Sequence, residues 1–198
     1  IAMNMDNDII LKNLQIVQRN THNLKRLINQ LLDYRRLETG NVKLNLQKGN
    51  ICVFASQVAE SFSVNATEKE ITLDFIATQP TVFTWFDADM VEKIMNNLIS
   101  NALKYTPTGG SITVSISVVF TDDIDEPNLL IPPLDTENVK YSRYIKIKVI
   151  DTGIGIAPED IPKIFDRFRR IERTDMNQSH GTGIGLALTK DLVKMHNG

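Results

Sequence analysis

The hydrophobic period of this chain changes at Gly40, and that change limits the possible folds more than any other feature. Before it, Ile10, Leu14, Val17, Thr21, Leu24, Ile28 and Leu31 follow one another at alternating spacings of four and three, a heptad stripe interrupted only by the polar Thr21. Lys12, Arg19, Lys25, Arg26 and Asp33 lie off the stripe. A lone helix would leave such a stripe in water, so the segment needs a packing partner. Its own domain could supply one, and so could a dimerising hairpin or bundle; the sustained three-and-four spacing favours the bundle. Gly40, followed by Asn41, is a suitable helix stop.

Beyond Gly40 the pattern shortens. Val42, Leu44 and Leu46 alternate with Lys43, Asn45 and Gln47, as in a half-buried strand. Residues 51–66 predict an amphipathic helix, and 71–77 and 81–86 predict strands joined across Gln79-Pro80. Asp87 suits the N-cap of a helix running from Ala88 to about Tyr105. Strands are expected at 111–120 and 143–150, with a proline- and acid-rich stretch between them that predicts an exposed, mobile hairpin insertion. Residues 154–182 read as mostly irregular with one short helical piece, and 183–196 as a helix. The alternation predicts an α+β chain: a long helix over 1–40, then an α/β sandwich over 41–198 with helices on one face of a mixed sheet.

At 198 residues the chain can bury one core and carry a helical extension. A net charge of −2 gives no reason to expect nucleic acid or an anionic membrane as partner. Cys52 is the only cysteine, which excludes an internal disulfide and a cysteine-based metal site and fits a reducing compartment. No run approaches the roughly 20 apolar residues of a membrane span, and no signal peptide is visible. Any membrane anchor of a parent protein is expected outside this chain.

Four segments carry candidate chemistry. In "NNLISNALKYTPTGG" (96–110), Asn97 and Asn101 are four apart and share a helix face, with Lys104 three residues further on. Two amide oxygens and one cation suit a magnesium–triphosphate complex, because Mg²⁺ keeps several waters and takes few protein oxygens. The same residues also suit a solvated polar face. In "DTGIGI" (151–156), Asp151 ends a strand, and Gly153 and Gly155 allow a tight turn beside a ligand. A carboxylate there can accept a hydrogen bond from an exocyclic amino group, although a plain Asp-Gly turn explains "DTG" equally well. In "IFDRFRR" (164–170), Phe165 and Phe168 make an apolar staple on one helical turn beside Arg167, Arg169 and Arg170. That is local packing with a basic face, or a loop pinned near a γ-phosphate. In "GTGIGLALTK" (181–190), Gly181, Gly183 and Gly185 bring backbone N–H groups to a helix start, an arrangement that binds phosphate but also closes ordinary turns.

The order of these segments resembles the catalytic, ATP-binding domain of the sensor histidine kinases, which share the Bergerat (GHKL) fold with gyrase B, MutL and heat-shock chaperones. The segments look like that family's N box, first glycine box, F box and second glycine box, and the resemblance covers about residues 42–198. The heptad helix with "LINQLLDYRRLETG" looks like the second helix of the family's dimerisation and phosphotransfer hairpin.

The resemblance implies a role for each residue. Asn101 is the main Mg²⁺ ligand with Asn97 nearby, Lys104 contacts phosphate, and Tyr105 lies against the nucleotide. Asp151 reads the adenine amino group, Gly153 and Gly155 line the base pocket, and Gly181, Thr182, Gly183, Gly185 and Leu186 lie under the phosphates. Arg170, at the lid arginine position, reaches the γ-phosphate, and 154–182 form the ATP lid. ATP and Mg²⁺ are the implied ligands. A response regulator receiver domain, in the same polypeptide or another, is the implied partner. So is homodimerisation through the hairpin, and the implied location is the cytoplasmic portion of a membrane-anchored bacterial sensor.

The chain also departs from that pattern. His22 is followed by Asn23, Leu24 and Lys25, without the acid and the downstream proline of a phosphoacceptor. His180 and His196 lack that context as well. The chain therefore reads as a fragment without its acceptor histidine and without the final strands of the sheet, expected to bind ATP but not to phosphorylate itself. Gyrase- and MutL-type ATPases place a water-activating glutamate one helical turn before the metal asparagine; here that place holds Asn97, and an amide cannot act as a general base. A non-catalytic nucleotide-binding module and a serine kinase on the same fold are two further readings of the same residues.

Overall fold

The computed structural model describes residues 43–120, 143–169 and 183–198, together with helical positions scattered from 10 to 36. By its internal contacts the chain divides into two units, Ile1–Val42 and Lys43–Gly198. In the first unit the described residues are helical, labelled α1, and Ile10, Leu14, Val17, Leu24, Ile28 and Leu31 are all exposed. Ile16, Leu27 and Leu32 are exposed too, so the apolar surface is broader than a strict heptad seam. Gly40 and His22 lie outside the described residues.

The second unit opens with β1 (Gln47–Asn50), α2 (Ile51–Glu60) and α3 (Ser63–Glu68), followed by β2 (Thr72–Ala77) and β3 (Phe83–Phe86). It continues with α4 (Ala88–Tyr105), β4 (Ser111–Phe120), β5 (Arg143–Asp151) and α5 (Gly185–Met195). β2 runs parallel to β4, with Thr72 opposite Ser111, and β5 runs antiparallel to β4, with Asp151 opposite Ile112. This is a mixed three-stranded sheet in the order β2-β4-β5. On one face Ile112, Val114 and Ile116 are buried with Ile51, Ala55 and Val58 of α2 and Met95, Ile99 and Leu103 of α4. The opposite face carries Asp74, Ile76, Lys148 and Ile150, all exposed. The expected layer of helices on one face of a mixed sheet is therefore present.

Several local expectations are corrected. Residues 43–46 form no strand and the first strand is Gln47–Asn50: its partner ends at Phe86, opposite Gln47, and Asn45 N–H goes instead to the Asp87 carboxylate (2.8 Å). The helix expected over 51–66 is two helices. At the break, Phe62 N–H turns back to Ala59 O (3.1 Å) and the Ser61 hydroxyl donates to Val58 O (2.7 Å), tightening the chain out of the α ladder. The two strands joined across Gln79-Pro80 are present as β2 and β3 but belong to different sheets: β3 pairs antiparallel with β1, in a separate two-stranded ribbon. The predicted cap on α4 is present, with Met90 N–H donating to Asp87 Oδ1 at 3.1 Å. The insertion at 121–142 lies outside the described residues.

Candidate functional site

Helix α4 buries one face and offers the other. Met95, Ile99, Ala102 and Leu103 are buried and Leu98 is half-buried, while Asn97, Asn101 and Lys104 lie half-buried on the other side. Asn97 is committed to α5: its Nδ2 donates to Gly185 O (3.3 Å) and Thr189 Oγ1 (3.4 Å). A Cβ on Gly185 would sit 3.2 Å from Asn97 Oδ1, so the missing side chain lets the two helices approach here. Lys104 Nζ donates to the Tyr105 hydroxyl (3.0 Å) and lies 4.7 Å from the centre of its ring.

The end of α4 meets the end of β5. Tyr105 O accepts Ile154 N–H at 3.2 Å. A Cβ on Gly153 would lie 2.7 Å from Tyr105 O, a contact no side chain could make. Asp151, exposed at the strand end, accepts Gly153 N–H at 2.9 Å, so the turn closes on the same carboxylate that is a candidate for base recognition. Gly155 turns at φ +66, in the region that favours glycine.

The aromatic–arginine segment departs from expectation. Only Ile161–Lys163 is helical there, as a single 3-10 turn, and Phe168 adopts φ +60. Phe165 and Phe168 therefore share no helical turn. Instead Phe168 N–H donates to Gly183 O (2.9 Å), and Phe165 lies 5.3 Å from Lys190 Nζ of α5. The exposed Arg167 approaches the half-buried Asp191 of α5 at 3.9 Å, a long, solvent-screened pair that contributes little. Gly183 has φ +68, and a Cβ on it would lie 2.8 Å from the Phe168 carbonyl carbon. Gly185 and the half-buried Leu186 open α5, and Ile184 provides no side-chain cap for that helix start. Arg170, Gly181, Thr182 and His180 lie outside the described residues.

Thus Tyr105 joins the asparagine helix to the first glycine segment, Asn97 joins it to the second, and Phe168 joins the aromatic segment to Gly183. The donor set suits a magnesium–nucleotide complex: neutral amide oxygens, a nearby ammonium, and two glycine positions where any side chain would intrude. His196, which had no assigned partner in the sequence, accepts Asp87 N–H at Nε2 (3.3 Å) and pairs with Leu192 O at Nδ1 (3.0 Å), fastening the far end of α5 to the cap of α4. Among the described residues no group of three or more His, Cys, Asp or Glu could hold a metal ion, and no helix is long and apolar enough to cross a membrane.

Comparison with known proteins agrees with this geometry. Residues 86–198 match the family model described as histidine kinase-, DNA gyrase B-, and HSP90-like ATPase. The sensor histidine kinase WalK of Bacillus subtilis is 33% identical over 96% of this chain, which spans 28% of that protein. The crystal structure of full-length ShkA in complex with AMPPNP superposes with a TM-score of 0.64 at 25% identity, covering 87% of this chain and 31% of the other. Histidine kinase ThkA, solved in complex with the response regulator protein TrrA, superposes with a TM-score of 0.56 at 17% identity, over 78% of this chain and 39% of the other.

Proposed function

This chain belongs to the family of histidine kinase-, DNA gyrase B- and HSP90-like ATPases, and we propose that it is the ATP-binding catalytic domain of a two-component sensor histidine kinase. The observation that carries the proposal is the meeting of three motifs on one helix: Tyr105 O with Ile154 N–H, and Asn97 with Gly185 O.

In this reading the exposed Asp151 carboxylate accepts the adenine amino group beside Gly153 and Gly155. Asn101, with Asn97 beside it, holds Mg²⁺, which when bound neutralises phosphate charge. Lys104 leaves its contact with Tyr105 to meet phosphate, while Tyr105 lies against the nucleotide. Gly183, Gly185 and Leu186 present backbone N–H groups beneath the phosphates at the start of α5, which has no side-chain cap, with Gly181 and Thr182 just before it. Arg170 reaches the γ-phosphate. Catalysis by these groups is positioning and charge stabilisation, with little covalent chemistry for the protein to perform. Asn97 occupies the place of a general base but carries an amide bonded to α5, which disfavours water activation and a clamp-type ATPase.

In the intact protein the γ-phosphoryl group passes from ATP to a histidine nitrogen on a hairpin containing α1, and then to an aspartate of a response regulator. The named complex of ThkA with a response regulator supports that partner. The exposed apolar stripe of α1 supports dimerisation through the hairpin. The test is incubation of the intact protein with γ-labelled ATP. Acid-labile label on histidine, lost in Asn101→Asp, supports the kinase reading; steady ATP hydrolysis without any phosphohistidine contradicts it.

A further inference from the structure

The last turn of α4 leaves carbonyls without an intrahelical donor, because the chain turns extended at Thr106 (φ −87, ψ 126). In an α-helix the carbonyl of one residue meets the N–H four residues on. For Leu103 that residue is Pro107, which has no N–H and lies beyond the extended Thr106, outside the helix. The neighbouring carbonyls have partners: Thr106 N–H donates to Ala102 O (2.9 Å), and Ile154 N–H donates to Tyr105 O (3.2 Å). Leu103 O is met from outside the helix, by Lys69 Nζ at 2.8 Å.

That lysine stands in a turn that is itself held. Lys69 is the C-cap of α3, and Glu70 follows at φ +56. Glu70 O accepts Gly109 N–H (3.1 Å), and Thr72 N–H donates to Gly110 O (3.0 Å). The turn thus grips the chain on both sides of Pro107, at Leu103 before it and Gly109 after it. An ammonium on a helix-terminal carbonyl is a charge-assisted bond at the negative end of the helix dipole.

We propose that Lys69 is a positioning residue for the nucleotide site: its ammonium supplies the donor that Leu103 O lacks where α4 ends and fixes the final turn of α4, so that Lys104 and Tyr105 face the nucleotide. The two carbonyls flanking Lys104 are then both held by distant groups, Lys69 on one side and Ile154 on the other. The proposal rests on the assignment of Lys104 and Tyr105 to the nucleotide.

The test uses the 198-residue chain with Lys69→Met, Lys69→Gln and Lys69→Arg. Two quantities are measured: the dissociation constant of a magnesium-bound non-hydrolysable ATP analogue, and amide exchange at Ile154 without nucleotide. Lys69→Met weakens binding about fivefold, a fraction of what a charged hydrogen bond contributes, and speeds exchange at Ile154. Lys69→Arg, which keeps a charged donor, stays within about twofold of the unaltered chain, and Lys69→Gln, a shorter neutral donor, falls between Lys69→Arg and Lys69→Met.

Unchanged affinity in Lys69→Met, or Lys69→Arg no better than Lys69→Met, overturns the proposal. If Lys69→Met does not fold, Lys69→Gln decides: faster exchange at Ile154 with weaker binding supports the proposal, both unchanged overturn it. Asp151→Asn, titrated alongside, separates the two levels. If it loses binding while Lys69→Met does not, only the role of Lys69 falls; if it too binds normally, the nucleotide site is misplaced and the role of Lys69 falls with it.

Discussion

Asn97 on α4 donates its amide to the carbonyl of Gly185, the first residue of α5, at 3.3 Å. The asparagine helix and the glycine-rich helix start are thereby one assembly, and the absence of a Cβ at Gly185 is what allows it. Gly185→Ala places a methyl group 3.2 Å from Asn97 Oδ1. The expected outcome is a loss of about 1 to 2 kcal/mol of stability by denaturant titration, together with at least tenfold weaker nucleotide binding.

Gly153 is more tightly constrained. A Cβ there would lie 2.7 Å from Tyr105 O and 2.5 Å from Asp151 Oδ1. Gly153→Ala must part the β5 turn from the end of α4, so it should cost about 1 to 3 kcal/mol and abolish the Ile154–Tyr105 bond. Equilibrium unfolding together with amide exchange at Ile154 measures both effects.

Asp151→Asn keeps the shape of the exposed side chain and an oxygen able to accept Gly153 N–H. Stability should change by less than about 0.5 kcal/mol. ATP binding should fall below detection, because the amide no longer presents a charged acceptor to the adenine amino group. Calorimetric titration beside a thermal melt distinguishes this outcome from misfolding.

Ile99 is fully buried between the sheet and α2, with no polar atom of its own. Ile99→Ala should cost about 2 to 5 kcal/mol, read from the denaturant midpoint, and should lower nucleotide affinity only through the unfolded fraction.

Burial pushes the Cys52 thiol above its ordinary value of 9.0. The unfolded thiol ionises first, so the contribution of Cys52 to stability is fully present below that value and is lost as pH rises through the folded value. Unfolding titrations from about pH 7 to about pH 10.5 should show an alkaline decline that Cys52→Ala reduces. The native thiol should also react slowly with alkylating reagents until the protein unfolds.

Much of this fold was legible in local pattern. The Asp87 cap, the span of α4, the two long strands and the glycine segments follow from period and residue type, because each reflects neighbours a few positions apart. The start of β1 at Gln47 was not legible, since its partner strand ends opposite it at Phe86 and the Asp87 carboxylate that takes Asn45 N–H lies 42 positions away. Neither was the pairing of β3 with β1 rather than β2, which depends on the tertiary partner each strand finds. At the site, residue identities marked the motifs, but the tie between Asn97 and Gly185 spans 88 positions and that between Lys69 and Leu103 spans 34, distances at which periodicity carries no information. The aromatic pair misled for the opposite reason: its spacing suggested a helical turn, and the left-handed backbone of Phe168 removes it.

The most direct test is a crystal structure of this chain with magnesium and a non-hydrolysable ATP analogue. The account predicts the adenine amino group on Asp151, the metal on Asn101, and the phosphates over Gly183 and Gly185 at the start of α5. A nucleotide bound away from these residues, or a cleft left empty at saturating analogue, would contradict it.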